Sequence, residues 1–326
     1  MNLILVDLSL VQDGMVVLSG RQGKHCREIL KVKVGSVIRL GVKNGAKGEG
    51  EVTAMDSGSV TVKLLFDCHS PCKEPMPLID LIVGLPRPKV FEKVLQTAAT
   101  MGVGRLIFVC STRADKAYLS SPKVKADSIW EDLQIGLEQC MSTRFPDVHV
   151  YASWAMLLHD LPVRFCHPSD SSRSATRLLV ADPSAESTLS AAPIELQRHS
   201  EGGVLLAVGP EGGWIPEELE GLYRLGFHGF TIGERILRVE AACVALMAQI
   251  GMLLNDPVLR NGLPPATRGK GGASPAMAAA GAESVVRLPI KGAKQAKEAD
   301  AREGEGEGMG DAREADDGCV QDDSPE

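Results

Sequence analysis

The chain has 326 residues, 44% of them apolar and 4% aromatic, and a formal net charge of −7. That length suits about two domains, and no apolar run approaches the roughly 18 residues of a membrane-spanning helix. The charge is uneven: residues 298–326 hold 12 acidic and 2 basic residues, net −10, so the other 297 carry 30 acidic and 33 basic, net +3.

From about residue 263 the chain is rich in Ala, Gly, Pro and Glu and nearly lacks aromatics. Such a segment cannot bury enough apolar surface to offset its ordering entropy, so residues 257–326 are expected to be a disordered acidic tail. The N-terminus carries Asp7 directly after Met1-Asn2-Leu3-Ile4-Leu5-Val6. It has neither the basic start and cleavage site of a secretory signal nor an Arg- and Ser-rich transit pattern. The protein is expected to be cytoplasmic, with an organelle as the alternative if the N-terminus is incomplete. Cys68-His69 with Cys72 has no second ligand pair at zinc-finger spacing, so no metal and no disulfide framework is expected.

Residues 1–70 read as β structure. Short apolar alternations at 3–6, 16–18, 37–40, 52–54 and 60–65 are punctuated by glycines, and Asn44-Gly45 is a hairpin signal. One helix interrupts at about 24–31, with Arg21, Lys24, His25, Arg27, Lys31 and Lys33 crowded around it. Five or six strands with one helix suggest a small barrel. Its basic cluster is either a solvated face or a contact for RNA phosphates.

Pro71, Pro75 and Pro77 mark a linker, after which the period changes. Strand-like runs at 78–85, 105–110, 178–181, 204–208 and 230–232 alternate with helix-like stretches at 90–101, 128–141, 217–225 and 240–254. That alternation predicts a parallel sheet covered on both faces. Residues 155–200 are poorly patterned.

Two glycine-bearing loops stand out. Val208-Gly209-Pro210-Glu211-Gly212-Gly213 follows the 204–208 strand, with Pro216 at a first helical position and Glu217 and Glu218 behind it. A helix N-terminus could hold a phosphate. The spacing is neither GxGxxG nor a P-loop, however, and acidic residues there oppose an anion. A structural turn, or a neutral or cationic ligand held by backbone groups, remains. The second loop, Ile232-Gly233-Glu234-Arg235-Ile236-Leu237-Arg238, precedes Glu240. Apolar residues between two arginines suit a flat ligand packed on aliphatics; alternatively the arginines pair with Glu234 and Glu240.

GPEGG followed by Trp214, a short helix, and then IGERILRVE resembles the ribosomal RNA uracil N-3 methyltransferases of the RsmE group, in the SPOUT superfamily. Supporting pieces recur in order over about residues 1–255. They are Gly23-Lys24-His25 leading to Ile29-Leu30-Lys31, Leu85-Pro86-Arg87-Pro88-Lys89, Gly102-Val103, Ser111-Thr112-Arg113, and Glu138-Gln139 with Arg144, Pro146 and Val148.

The resemblance implies an α/β fold: a PUA-like RNA-binding β-barrel at 1–72, then a SPOUT methyltransferase domain at 73–256 with a C-terminal trefoil knot. It implies S-adenosyl-L-methionine held by Val208, Gly209, Pro210, Glu211, Gly212, Gly213, Ile232, Gly233, Ile236, Leu237 and Arg238, a homodimer that completes the site, and small-subunit ribosomal RNA as substrate. Arg238 and Arg235, with Arg113 from the other edge, are the candidate cations for an anionic uracil, and Glu240 or Glu211 a candidate base. Arg21, Lys24, His25, Arg27, Lys31 and Arg113 are the candidate RNA contacts. Two places depart from the family pattern: Ala241 stands where a Thr is usual, and Thr97 and Thr100 where Lys and Glu are common. A non-catalytic SPOUT-fold RNA-binding or assembly factor is the alternative reading.

Overall fold

The computed structural model describes residues 2–165, 177–189 and 203–255 and the short strand at 285–287. Most of the expected tail lies outside the described residues.

The N-terminal apolar alternations form five strands, β1 (Ile4–Val6), β2 (Met15–Leu18), β3 (Val37–Val42), β4 (Lys47–Met55) and β5 (Val60–Leu64). They make one mixed sheet in the order β1-β3-β4-β5-β2, with β1 parallel to β3 and the other pairs antiparallel. The alternate side chains of β2 and β5 turn inward, so Val16, Leu18, Val60 and Val62 meet Ile4, Leu40 and Val52 in a small core. Asn44-Gly45 turns β3 into β4, with Asn44 at φ 55°. The expected helix begins four residues early as α1 (Gly20–Lys24), continues as a π-turn over His25–Ile29, and stops before Lys31, at φ 50°.

The second module follows the predicted alternation. It comprises β6 (Ile79–Gly84), α2 (Pro88–Thr100), β7 (Val103–Val109), α3 (Ala126–Cys140), β8 (Asp147–Tyr151), α4 (Trp154–Asp160), β9 (Arg177–Ala181), β10 (Val204–Val208), α5 (Pro216–Arg224), β11 (His228–Phe230) and α6 (Val239–Asn255). Strand β8 and helix α4 were not legible in the sequence. The strand order is β11-β9-β10-β6-β7-β8-β12, parallel except for β12 (Val285–Arg287), which pairs antiparallel with β8. For these three residues the expectation of a disordered tail does not hold.

Strands β6 and β10 are buried along their whole length, as expected of central parallel strands. Their side chains alternate between two cores. Leu81, Val83 and Leu206 pack with α2, α3 and α6 through Phe91, Leu133 and Leu246. Ile82, Leu205 and Ala207 pack with α4 and α5 through Leu157 and Leu222. The chain leaves β6 toward β7 and β8, then resumes on the other side with β9, β10 and β11. Such a reversal leaves a crevice at the carboxyl ends of the strands around β6 and β10.

Candidate active site

The loops that leave β9, β10 and β11 converge on a cleft of about 370 Å³, a size ordinary for small-molecule sites. Every residue from Val208 to Gly213 lines it, as do Ile232, Gly233, Arg235, Ile236 and Leu237. The structure thus brings together two loops whose nearer ends, Gly213 and Ile232, are 19 positions apart in the chain. A third wall, Ala181-Asp182-Pro183-Ser184 from the end of β9, was not anticipated. Its only local signal was a polar Asp-Pro step after an apolar run.

The shape of the first loop follows from close backbone approach. A Cβ on Gly84 would lie 2.3 Å from Pro210 Cδ and 2.6 Å from Pro210 N, so β6 must end in glycine for the loop to seat. Gly213 takes φ 70°, strained for an L side chain, and its N–H closes a turn onto the Pro210 carbonyl at 2.8 Å. Beyond the turn, Pro216 opens α5 as expected. The buried Glu218 carboxylate accepts the Ile215 N–H at 3.1 Å and the Thr112 N–H at 2.8 Å. The acidic helix start therefore ties α5 to the β7 loop.

Arg113 proves to be a loop clamp. Its Nη1 donates to the Gly212 carbonyl at 2.6 Å and the Trp214 carbonyl at 3.4 Å. The residue expected to contact RNA thus also braces the glycine loop, while remaining exposed. Glu211 is engaged by Arg87, accepting its N–H at 3.1 Å with the Nε at 3.6 Å.

Arg235 lines the cleft and is exposed, whereas Arg238 is exposed but off the cleft wall, its carbonyl accepting the Ala242 N–H as α6 begins. Neither arginine forms a salt bridge among the described residues, so the pairing with Glu234 and Glu240 is not seen. Glu240 lies outside the cleft and meets Lys93 of α2 at 3.3 Å. Its own N–H, then Lys93 and Arg238, hold its carboxyl below the usual range. Ala241 is exposed beside it, on a hollow shared with Thr97 and Val244.

Asp182 is buried and accepts the Ser184 N–H at 2.9 Å, the Ser184 hydroxyl at 2.6 Å and the Tyr223 hydroxyl at 2.8 Å. Burial raises its pKa, but the Ser184 and Tyr223 donors outweigh that and leave it below the ordinary value. The Tyr223 phenol is pushed up to about 12 by burial and by donation to that carboxylate.

Of the basic residues near α1, Arg21 is ion-paired: its Nη2 meets the buried Glu138 carboxylate of α3 at 2.8 Å. Lys24 is exposed, its nearest carboxylate being Glu28 at 3.9 Å. Lys24 and His25 border a larger hollow of about 750 Å³ between α1 and the helices α2 and α3, which Thr97 and Thr100 also line. His25 Nε2 is enclosed without a hydrogen-bond partner among the described residues. Lys31 is exposed and Arg27 half-buried.

A family model described as an RNA methyltransferase domain matches residues 73–251. Ribosomal RNA small subunit methyltransferase E of Treponema pallidum (strain Nichols) is 28% identical over 257 residues, covering 77% of this chain and 90% of that protein. The corresponding Borreliella burgdorferi protein, methyltransferase E 1, is 21% identical over 245 residues, covering 75% and 95%. Among solved structures, the ribosomal RNA small subunit methyltransferase E from Neisseria gonorrhoeae, bound to S-adenosyl methionine, matches with a TM-score of 0.60 at 24% identity. That match covers 78% of this chain and 98% of that one. Every described residue that lines the cleft falls within the matched region, and the chain belongs to the RNA methyltransferase family.

Proposed function

We propose that this protein is an S-adenosylmethionine-dependent methyltransferase that modifies N3 of a uracil in small-subunit ribosomal RNA. The observation that carries this reading is the cleft itself: two glycine loops present backbone groups and apolar side chains, with no phosphate-binding signature, to one crevice at the strand ends. These walls fit a ligand that joins an apolar adenine to a cationic tail. Val208 to Gly213 and Ile232 to Leu237 would hold it. When bound, that cofactor supplies the electrophilic methyl group.

The chain's own residues must orient the uracil and make its N3 nucleophilic. Uracil N3 reacts only once its proton has left, so the site must stabilise an anionic ring. Orientation can supply about 7–11 kcal/mol of the barrier at best, and a preorganised cation several more. Arg235, on the cleft wall and without an ion pair among the described residues, is the first candidate for that cation; Arg238, at the mouth of α6, is the second. Glu211 and Glu240 remain the candidate bases. Each is engaged by a basic residue, Arg87 and Lys93 respectively. Lys24, His25, Arg27 and Lys31 would hold RNA phosphates while the base leaves its stack.

The assignment of residues 1–72 as a PUA-like barrel, and of the C-terminal loops as a trefoil knot, belongs to the same reading. So does a cytoplasmic setting, and so does a homodimer. Helix α6 buries Cys243, Leu246, Met247 and Ile250 on one side, yet Val244 and Met252 are 42% and 60% exposed on the other. In the neighbouring loop Ile236 is 87% exposed. A second copy would cover these positions.

The test is cofactor binding by calorimetry, followed by mass spectrometry of ribosomal RNA from cells lacking the protein. Loss of one uracil methyl upholds the reading; absence of cofactor binding overturns it. Ala241, which lacks the usual hydroxyl, keeps a non-catalytic RNA-binding role in view. Loss of methylation with retained RNA binding in Arg238→Ala favours the enzyme, and no turnover by the parent protein favours the binder.

A further inference from the structure

Among the described residues, two carboxylates line the cleft, and they differ in what surrounds them. Glu211 already faces Arg87. Asp182 is 7% exposed, and its three hydrogen-bond donors are an amide and two hydroxyls, all neutral. No basic side chain forms a salt bridge to it among the described residues. The two basic residues of the cleft are placed otherwise: Arg113 is clamped to the carbonyls of Gly212 and Trp214, and Arg235 is exposed on the second loop.

A buried carboxylate without a counter-charge is expensive unless hydrogen bonds hold it ionised, and here they do. The donors also fix its direction. Ser184 N–H and Oγ both bond Oδ1, whereas among the described residues Tyr223 alone bonds Oδ2. A carboxylate oxygen accepts about two bonds, so Oδ2 keeps an open acceptor site. Tyr223 is itself seated tightly: a Cβ on Gly229 would lie 2.6 Å from its hydroxyl oxygen. The phenol thus joins α5, β9 and β11 behind the carboxylate.

We infer that Asp182 supplies the counter-charge for the positive part of the bound cofactor, favouring ligands that bear a cationic group at that place over those that lack one. This rests on the cofactor reading above. It assigns to the β9 loop the electrostatic half of recognition, beside the backbone and apolar contacts of the two glycine loops.

The experiment measures binding of three probes by calorimetry to the full-length protein. S-adenosylmethionine carries a sulfonium and an ammonium, S-adenosylhomocysteine the ammonium alone, and 5′-methylthioadenosine neither. In Asp182→Asn, affinity for S-adenosylmethionine should fall about tenfold, as for loss of a charge-assisted contact, with methylthioadenosine within about twofold of the parent. A fall for S-adenosylmethionine alone puts the sulfonium opposite Asp182; a fall shared by S-adenosylhomocysteine puts the ammonium there. Either supports the inference. An equal fall for all three probes, or no fall for any, overturns it. Asp182→Ser provides the same comparison should the Asn variant fold poorly. A parent protein that binds none of the probes overturns the cofactor reading instead.

Discussion

The Arg21 guanidinium and the Glu138 carboxylate meet at 2.8 Å across the seam between the N-terminal sheet and α3. Glu138, 1% exposed, also accepts bonds from Gln22, Gln134 and the Leu5 N–H. Four donors converge on one buried acceptor, and three of them come from the N-terminal module. This pair therefore fixes the orientation of the α1 basic segment over the α2 and α3 helices.

Arg21→Met should consequently lower the unfolding free energy by about 1–2 kcal/mol, since the partner left behind is buried while Arg21 itself is partly exposed. The salt dependence of RNA binding should stay as in the parent. Lys24→Ala should do the reverse, leaving stability alone and reducing the slope of log K against log salt by about one. Denaturant unfolding and filter binding at several salt concentrations check both. An unchanged midpoint in Arg21→Met would count against the lock.

Gly84→Ala should displace the glycine loop, because its new Cβ meets Pro210 backbone, which cannot swing aside as a flexible side chain could. Overpacking of this kind costs about 1–3 kcal/mol, and cofactor affinity should fall along with stability. Thermal unfolding with and without cofactor separates the two effects. A variant with parent-like affinity would show that the loop tolerates the shift.

Arg113→Ala removes the clamp on the Gly212 and Trp214 carbonyls. The cleft should lose cofactor affinity by about 1–2 kcal/mol, roughly five- to thirtyfold, with the unfolding midpoint little changed because Arg113 sits at the surface. Arg113→Lys should recover only part of the loss, since both bonds come from Nη1, which lies one bond beyond the reach of a lysine Nζ. Calorimetry decides it, and full recovery by lysine would show that this extra reach is not needed.

Tyr223→Phe has a pH signature. The phenol's folded pKa is raised from about 10 to about 12, so its contribution to stability is fully present below about pH 10 and is lost as pH rises toward 12. Phenylalanine does not titrate. The variant's stability should therefore fall less steeply than the parent's across that interval, although buried cysteines still ionise in both. Parallel curves for parent and variant would refute the Tyr223–Asp182 bond as the cause.

Much of the architecture was legible in the chain. Continuous apolar runs at 78–85 and 204–208 became the doubly covered strands β6 and β10, because a strand buried on both faces has no polar side to show. Pro216 with Glu217 and Glu218 marked the start of α5 by its own end chemistry. Strand β8 and helix α4 escaped notice: β8 begins at Asp147 and includes His149, and α4 spans two turns only. Period alone says little about segments that short.

The sequence by itself determined the N-terminal strands, the parallel sheet and the two glycine loops, since these follow from local pattern and backbone freedom. Only the tertiary structure decided which charges act where. Arg21 and Arg113 look like their basic neighbours in the chain, yet one is committed to Glu138 and the other to loop carbonyls. Asp182 drew no reading from the sequence, yet it stands buried beside both loops, with no salt bridge among the described residues. The reason is physical: whether a charge is paired, clamped or open depends on what the fold brings within about 3 Å of it, and those partners lie some 40 to 120 residues away.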